Sequence, residues 1–372
     1  MSKSLTFLGT SSGVPTSLRN VSSTGVQLEN GEVYLVDCGE GTQHQLQKSI
    51  LKSGKISRIF ITHLHGDHVY GLPGLLCTLS GNNPVTRTVL PIVGPLGLKN
   101  FLRQTLSLSD AHLNFRLDIH ELVPPDTDEE GVKIYDEEQC PPPLSCEYES
   151  SGSESSVDSI PKTAGTFIYL NKETNSYPVF DLSKTDARLI VQAAPILHRV
   201  FCVGYVFTEN DKPGTLDMEK CKQLGVPKGP LLGKLKNGVE VTLENGITVK
   251  PEDVVGPTIK GKKLVMLGDT HDPKGISQIA MNCDVIVHES TLEDGMQELC
   301  IDRGHSTPSM AAKFALSLNA KRLILTHFSA RYVEEGKIDL HENEVSVSLL
   351  KQQAQAVFSN VDLASDFATF TI

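Results

Sequence analysis

The 372-residue chain has no apolar run approaching the roughly 20 residues needed to cross a bilayer, which excludes a membrane-spanning helix. Its opening residues, Met1 to Thr10, lack the charged, apolar and cleavage regions of a secretory signal and read directly as a strand. The eight cysteines, at 38, 77, 140, 146, 202, 221, 283 and 300, form no Cys-x-x-Cys pair and no zinc-finger spacing. Without a secretory signal they read as reduced thiols, and the expected compartment is the cytoplasm or the nucleus. Positive charge is also scarce. The net charge of −11 argues against a nucleic-acid partner until it is located. Residues 126–162 hold eleven acidic side chains against two lysines, so the rest of the chain is nearly neutral and overall acidity says little about the working surface.

The stretch 126–162, with Pro141-Pro-Pro143 and a Ser/Gly/Glu run, cannot bury enough apolar surface to order itself and is expected to be a disordered acidic insertion. Around it, apolar strand-like runs alternate with helical patterns in both halves. Hydrophobic residues make up 39% of the chain, enough for an ordinary core. Two βα-rich halves suggest an α/β fold, a four-layer αββα sandwich in a single catalytic domain spanning 1–372.

One stretch concentrates chemistry: Phe60-Ile-Thr-His63-Leu-His65-Gly66-Asp67-His68. Imidazole nitrogen and carboxylate oxygen suit zinc at roughly 2.0–2.2 Å. A strand end entering a tight turn at Gly66 would aim His63 and His65 one way and Asp67 and His68 another, which predicts two metals. His198, Asp269 and His327 each follow another apolar strand, and sites in α/β sheets form at the carboxyl ends of strands. Together these residues could complete two coordination spheres, with Asp269 shared. Two metals about 3.5–4 Å apart lower the pKa of a shared water and clamp the attacking and leaving oxygens of a phosphoryl centre. An all-N/O donor set favours zinc hydrolysis over electron transfer.

These residues resemble the metallo-β-lactamase superfamily, whose His-x-His-x-Asp-His signature stands at His63–His68. Further stretches resemble the short form of the ribonuclease Z (tRNase Z) family: Thr6–Thr10, Asp37–Gln43, Gly268–Thr270, Gly304–Thr307 and Thr326–Tyr332. The resemblance implies two zincs per chain, one on His63, His65 and His198 and one on Asp67, His68 and His327, with Asp269 bridging. It implies that Asp67 serves as base for a metal-bridging nucleophile and that Asp37 orients a ligating imidazole. His305 would protonate the departing 3′ oxygen, with Glu289 orienting it, or Glu289 is a buried structural acid. Ser329 and Arg331 would grip phosphate.

Residues 212–238 carry six lysines against Asp217 and Glu219. They resemble the family's tRNA-gripping arm, with Lys228, Gly229, Pro230, Lys234 and Lys236 as candidate RNA contacts, as suits phosphate binding without sequence readout. The turn Pro15–Asn20 resembles the family loop that discriminates against a mature CCA end and places Arg19 there as an RNA contact. Ser17 stands where that loop carries lysine. The implied activity is removal of the 3′ trailer from precursor tRNA, cutting after the discriminator nucleotide to leave a tRNA 3′-hydroxyl and a trailer 5′-phosphate. The alternative is a small-molecule phosphodiesterase or thioester metallohydrolase on the same fold. The family also implies a homodimer.

Overall fold

The computed structural model describes residues 2–81, 88–127, 163–185, 188–333 and 345–372. The acidic insertion expected at 126–162 lies outside these residues apart from Asp126 and Thr127. The described chain divides into two compact units, residues 1–207 with 263–372 and residues 208–262.

The larger unit is built on two sheets. The first contains β1 (Ser2–Gly9), β2 (Ser23–Leu28), β3 (Val33–Val36), β4 (Ile56–Phe60), β5 (Val89–Pro95), β6 (Arg116–Leu122), β7 (Thr163–Ala164) and β8 (Phe167–Ile168). They lie in that order to β7, β8 also pairs with β6, and β20 (Thr369–Thr371) closes the β1 edge. The second sheet uses β9 (Tyr177–Leu182), β10 (Leu189–Ile196), β11 (Cys202–Glu209), β14 (Lys263–Met266), β15 (Val285–Glu289), β16 (Leu323–Thr326) and β19 (Val361–Leu363). Its order is β19-β16-β15-β14-β11-β10-β9. A small pair, β17 (Tyr332–Val333) and β18 (Val345–Ser346), joins neither sheet.

Strand alternation divides the side chains between layers. In β3, Tyr34 and Val36 enter a core shared with the second sheet, while Val33 and Leu35 pack against helices. In β15 and β16, Val285, Val287 and Ile324 face the shared core, and Ile286, Leu323 and Leu325 face the opposite helices. With both faces covered, each strand reads as a continuous apolar run, as parallel strands in α/β proteins do. The helices Leu72–Gly81 and Leu98–Leu108 cover one sheet, and Pro308–Ser317 and Ser348–Gln355 cover the other. This is the expected αββα sandwich.

Strands β3 to β6 are parallel, as are β14, β15, β16 and β19. Their carboxyl ends therefore point one way within each sheet. Asp37 follows β3, His63 follows β4, Asp269 follows β14, Glu289 ends β15 and His327 follows β16. The sheets are tied beneath these ends by the buried Tyr205 hydroxyl of β11, which donates to the Ile61 carbonyl at 2.7 Å.

The second unit has its own small core of Cys221, Val226, Leu235, Val241, Leu243, Val249 and Val254. It contains the helices Met218–Gln223 and Pro230–Lys236 and the hairpin of β12 (Val241–Thr242) and β13 (Thr248–Val249). Asp217 caps the first helix, its side chain accepting from the Lys220 amide, and Pro230 opens the second at a position where no amide donor is needed. The stretch 212–238 falls inside this unit, and Lys228, Lys234 and Lys236 are exposed. No described helix is long and apolar enough to cross a membrane.

Candidate functional site

The segment after β4 leaves the sheet at Ile61 and enters the short helix Gly66–Val69 with His65 as its N-cap residue. The tight turn expected at Gly66 is thus one turn of helix. Along that turn the donors divide: His63 and His65 meet His198, whereas Asp67 and His68 meet His327. Asp269 belongs to both groups.

The distances fit metal coordination. Around a tetrahedral ion with bonds of about 2.0–2.1 Å, neighbouring donor atoms stand roughly 3.3–3.4 Å apart. His65 Nδ1 lies 3.1 Å from His63 Nε2 and 3.2 Å from His198 Nε2. In the second group, His327 Nε2 lies 3.3 Å from both His68 Nε2 and Asp67 Oδ2, and His68 Nε2 lies 3.5 Å from Asp67 Oδ2. Asp269 Oδ1 is 3.4 Å from both His68 Nε2 and His327 Nε2, while its Oδ2 is 3.7 Å from His63 Nε2. One carboxylate therefore offers one oxygen to each group.

Protonation fits at five of these groups, because metal ligands must be neutral imidazoles and ionised carboxylates. Burial, with the neighbouring His68 charge, holds His63 well below the usual histidine value. Burial likewise lowers His65 and His198. Burial opposes ionisation of Asp67 and Asp269, yet His327 and His68 hold both carboxyls well below the ordinary range. His68 goes the other way: against burial, Asp269 and Asp37 hold it well above its ordinary value.

Behind the converging atoms, other groups fix each ring. His68 Nδ1 lies 2.7 Å from Asp37 Oδ2, and Asp37 also accepts from the Thr62 amide at 2.8 Å. His198 Nδ1 donates to the Gly304 carbonyl at 2.7 Å, and His327 Nδ1 lies 3.1 Å from Thr291 Oγ1. Such partners set the tautomer that turns the other nitrogen toward the site. Two glycines are required here. A Cβ on Gly268 would stand 2.6 Å from Cys202 Sγ, and Gly304 combines φ +79° with a Cβ position 2.7 Å from His198 Nδ1. Asp37 and His327 adopt φ 61° and 60°, in the left-handed region that non-glycine residues seldom enter.

His305 and Glu289 form a second apparatus beside the donor groups. His305 Nδ1 and Glu289 Oε1 are 2.9 Å apart, and Glu289 also accepts from the Thr270 amide and the Thr291 hydroxyl. Burial disfavours the imidazolium, but the Glu289 charge and hydrogen bond outweigh it and push His305 up to about 9. Glu289, His305 and His327 could themselves form a third ligand group, although the short His305–Glu289 contact suits proton sharing.

His65, Asp67, Asp269, His305 and His327 open into one cleft of about 530 Å³, with Val14, Pro15, Tyr70 and Arg199 on its walls. Arg19, expected to contact RNA, does not face it: this arginine is 3% exposed. Its guanidinium donates to Thr10 Oγ1 and lies over the Phe328 ring, so it braces the loop from within. Ser329 and Arg331 are half-buried, the Ser329 amide donating to the Thr291 carbonyl and Arg331 reaching the Met296 thioether. Arg199 is exposed in the cleft wall, and its position beside His198 was the sequence signal for it. Thr62 and Thr291 had no such signal, because a hydroxyl behind a ligand looks like any strand-end threonine.

The sandwich and its donor groups define a metallohydrolase of the metallo-β-lactamase superfamily. The family described as "Beta-lactamase superfamily domain" matches residues 236–328, and that of "Anti-Pycsar protein Apyc1" matches residues 3–106. The chain is 42% identical to human "Zinc phosphodiesterase ELAC protein 1", covering 100% of this chain and 99% of that one. It is 38% identical to "Ribonuclease Z" of Prochlorococcus marinus (strain MIT 9312), covering 98% and 97%. The crystal structure of human tRNase Z, short form, superposes with a TM-score of 0.63 at 32% identity, covering 99% of both chains. The chain belongs to the ribonuclease Z family.

Proposed function

We propose that this chain is a zinc-dependent endoribonuclease that removes the 3′ trailer from precursor tRNA. It cuts after the discriminator nucleotide, leaving a 3′-hydroxyl on the tRNA and a 5′-phosphate on the trailer. The supporting observation is the meeting, in one cleft, of two donor groups sharing Asp269 with the His305–Glu289 pair, in a chain of this family.

His63, His65 and His198 would hold one zinc and Asp67, His68 and His327 another, with Asp269 belonging to both donor groups. Bound zinc would supply an activated water and neutralise charge on the scissile phosphate. Asp67, fixed by the Gly13 amide at 2.8 Å, takes up the proton released by the attacking water. His305 carries a proton at neutral pH, and Glu289 engages its Nδ1, leaving Nε2–H to protonate the departing 3′ oxygen. Arg199 in the cleft wall, with Ser329 and Arg331 beyond His327, engages backbone phosphate.

The lysines of 212–238 grip the tRNA body through its phosphates. Two copies of the chain act as a homodimer. Ser17 is exposed where the family loop carries lysine, which weakens rejection of CCA-ended substrates. The test is incubation with a 3′-extended precursor tRNA, with and without CCA, followed by mapping of both new ends and measurement of zinc per chain. Cleavage after the discriminator with about two zincs is expected. No cleavage by zinc-loaded protein would overturn the reading.

A further inference from the structure

Tyr70 is 65% exposed although it lies one turn of chain beyond Asp67 and lines the cleft. An aromatic side chain left in water at such a place is held ready for something. Its ring is not loose. A Cβ on Gly66 would stand 2.3 Å from Tyr70 Cε2, so the ring rests directly on the Gly66 backbone between the ligands His65 and Asp67. Its other support is Phe101, with ring centroids 6.3 Å apart and planes 26° apart. Further exposed apolar side chains border the same region: Val14 shares the cleft lining, and Leu197 and Val200 flank His198 and Arg199. Exposed guanidinium, exposed apolar rim and a braced aromatic ring are the combination that binds single-stranded nucleic acid, because every base has a π-face and its backbone is anionic.

We infer that Tyr70 is a stacking platform for the nucleobase that flanks the scissile phosphate. This rests on the RNA-cleaving reading above. The ring stacks on Phe101 and the Gly66 backbone, so its contribution is to hold the RNA backbone in register with the donor groups and not to the chemistry itself. Stacking is tolerant of base identity, as an enzyme acting on many precursor tRNAs requires.

The test uses full-length, zinc-loaded protein and a 3′-extended precursor tRNA carrying 2-aminopurine at the discriminator or at the first trailer nucleotide. The chain contains no tryptophan, so protein emission does not interfere with the probe. Rapid mixing should show quenching before cleavage at one of these two positions. Tyr70→Phe should keep the quench. Tyr70→Leu fills the same space above Gly66 but has no π-face, and should lose the quench and raise KM roughly 5- to 100-fold with a smaller change in kcat. Quenching at neither position, or an equal quench in Tyr70→Leu, overturns the proposal. If the unaltered protein does not cleave this RNA at all, the fault lies with the functional reading and not with Tyr70.

Discussion

Glu289 is a fully buried carboxylate whose neighbours explain why it is tolerated. It accepts hydrogen bonds from Thr270 and Thr291 and pairs with His305, and although burial opposes its ionisation, His305 holds it below the ordinary glutamate value. The partner shift has a kinetic consequence. With Glu289 present, His305 is pushed up to about 9; without that charge, burial lowers the ring against only the remaining pull of Asp269 and Asp67, and its pKa falls. Glu289→Gln should therefore move the alkaline limb of the pH–kcat/KM profile for precursor tRNA to lower pH. Near pH 8 the rate should drop, by at most the roughly 10²–10⁴-fold that a general acid contributes. An unmoved alkaline limb would make Glu289 a structural acid only. At this scale, the donor residues were legible because histidine and aspartate are rare in such density beside apolar strands. The burial of Arg19 is not legible in the same way, because a sequence shows a cation but not that Phe328 and Thr10 enclose it.

At the scale of elements, legibility followed burial. Strands β3, β14, β15 and β16 stand out because both faces are covered, so apolar residues run through them without alternation. Strand β9 does not stand out: Pro178, Asp181 and the alternation of buried and exposed positions give it a weak pattern at a sheet edge. The left-handed backbone at Asp37 and His327 is equally invisible, since it is imposed by the packing of neighbouring strand ends. The link between sheets through Tyr205 also depends on tertiary placement, joining residues 144 apart in sequence. Its hydroxyl is fully buried, and burial raises its pKa well above the ordinary tyrosine value, so it remains a neutral donor. Tyr205→Phe would leave the Ile61 carbonyl without this donor beneath the His63–His68 segment. A loss of about 1–3 kcal/mol is expected in the denaturant-unfolding free energy, read as a lower midpoint at unchanged slope. No change in midpoint would show that water replaces the hydroxyl.

For the whole molecule, charge location matters more than charge sum. The sequence as a whole is acidic, yet six lysines fall within 212–238, and those at 228, 234 and 236 are exposed in a unit with its own small core. Leu235, between two of these lysines, is fully buried, so the helix Pro230–Lys236 divides into an inward apolar position and outward cations. Substituting the exposed lysines therefore leaves the core intact, which deletion of the stretch would not. If they neutralise RNA phosphates, each releases counterions on binding and contributes about 0.7–0.9 to the slope of log affinity against log salt. The triple substitution Lys228→Gln, Lys234→Gln and Lys236→Gln should weaken precursor-tRNA binding most at low salt and flatten that slope by roughly 2–3. Hydrolysis of a small phosphodiester, which has no tRNA body to grip, should keep its rate. A slope unchanged in the triple variant would mean that these lysines face solvent in the complex, and the grip on RNA would have to come from Arg199 and the cleft wall instead.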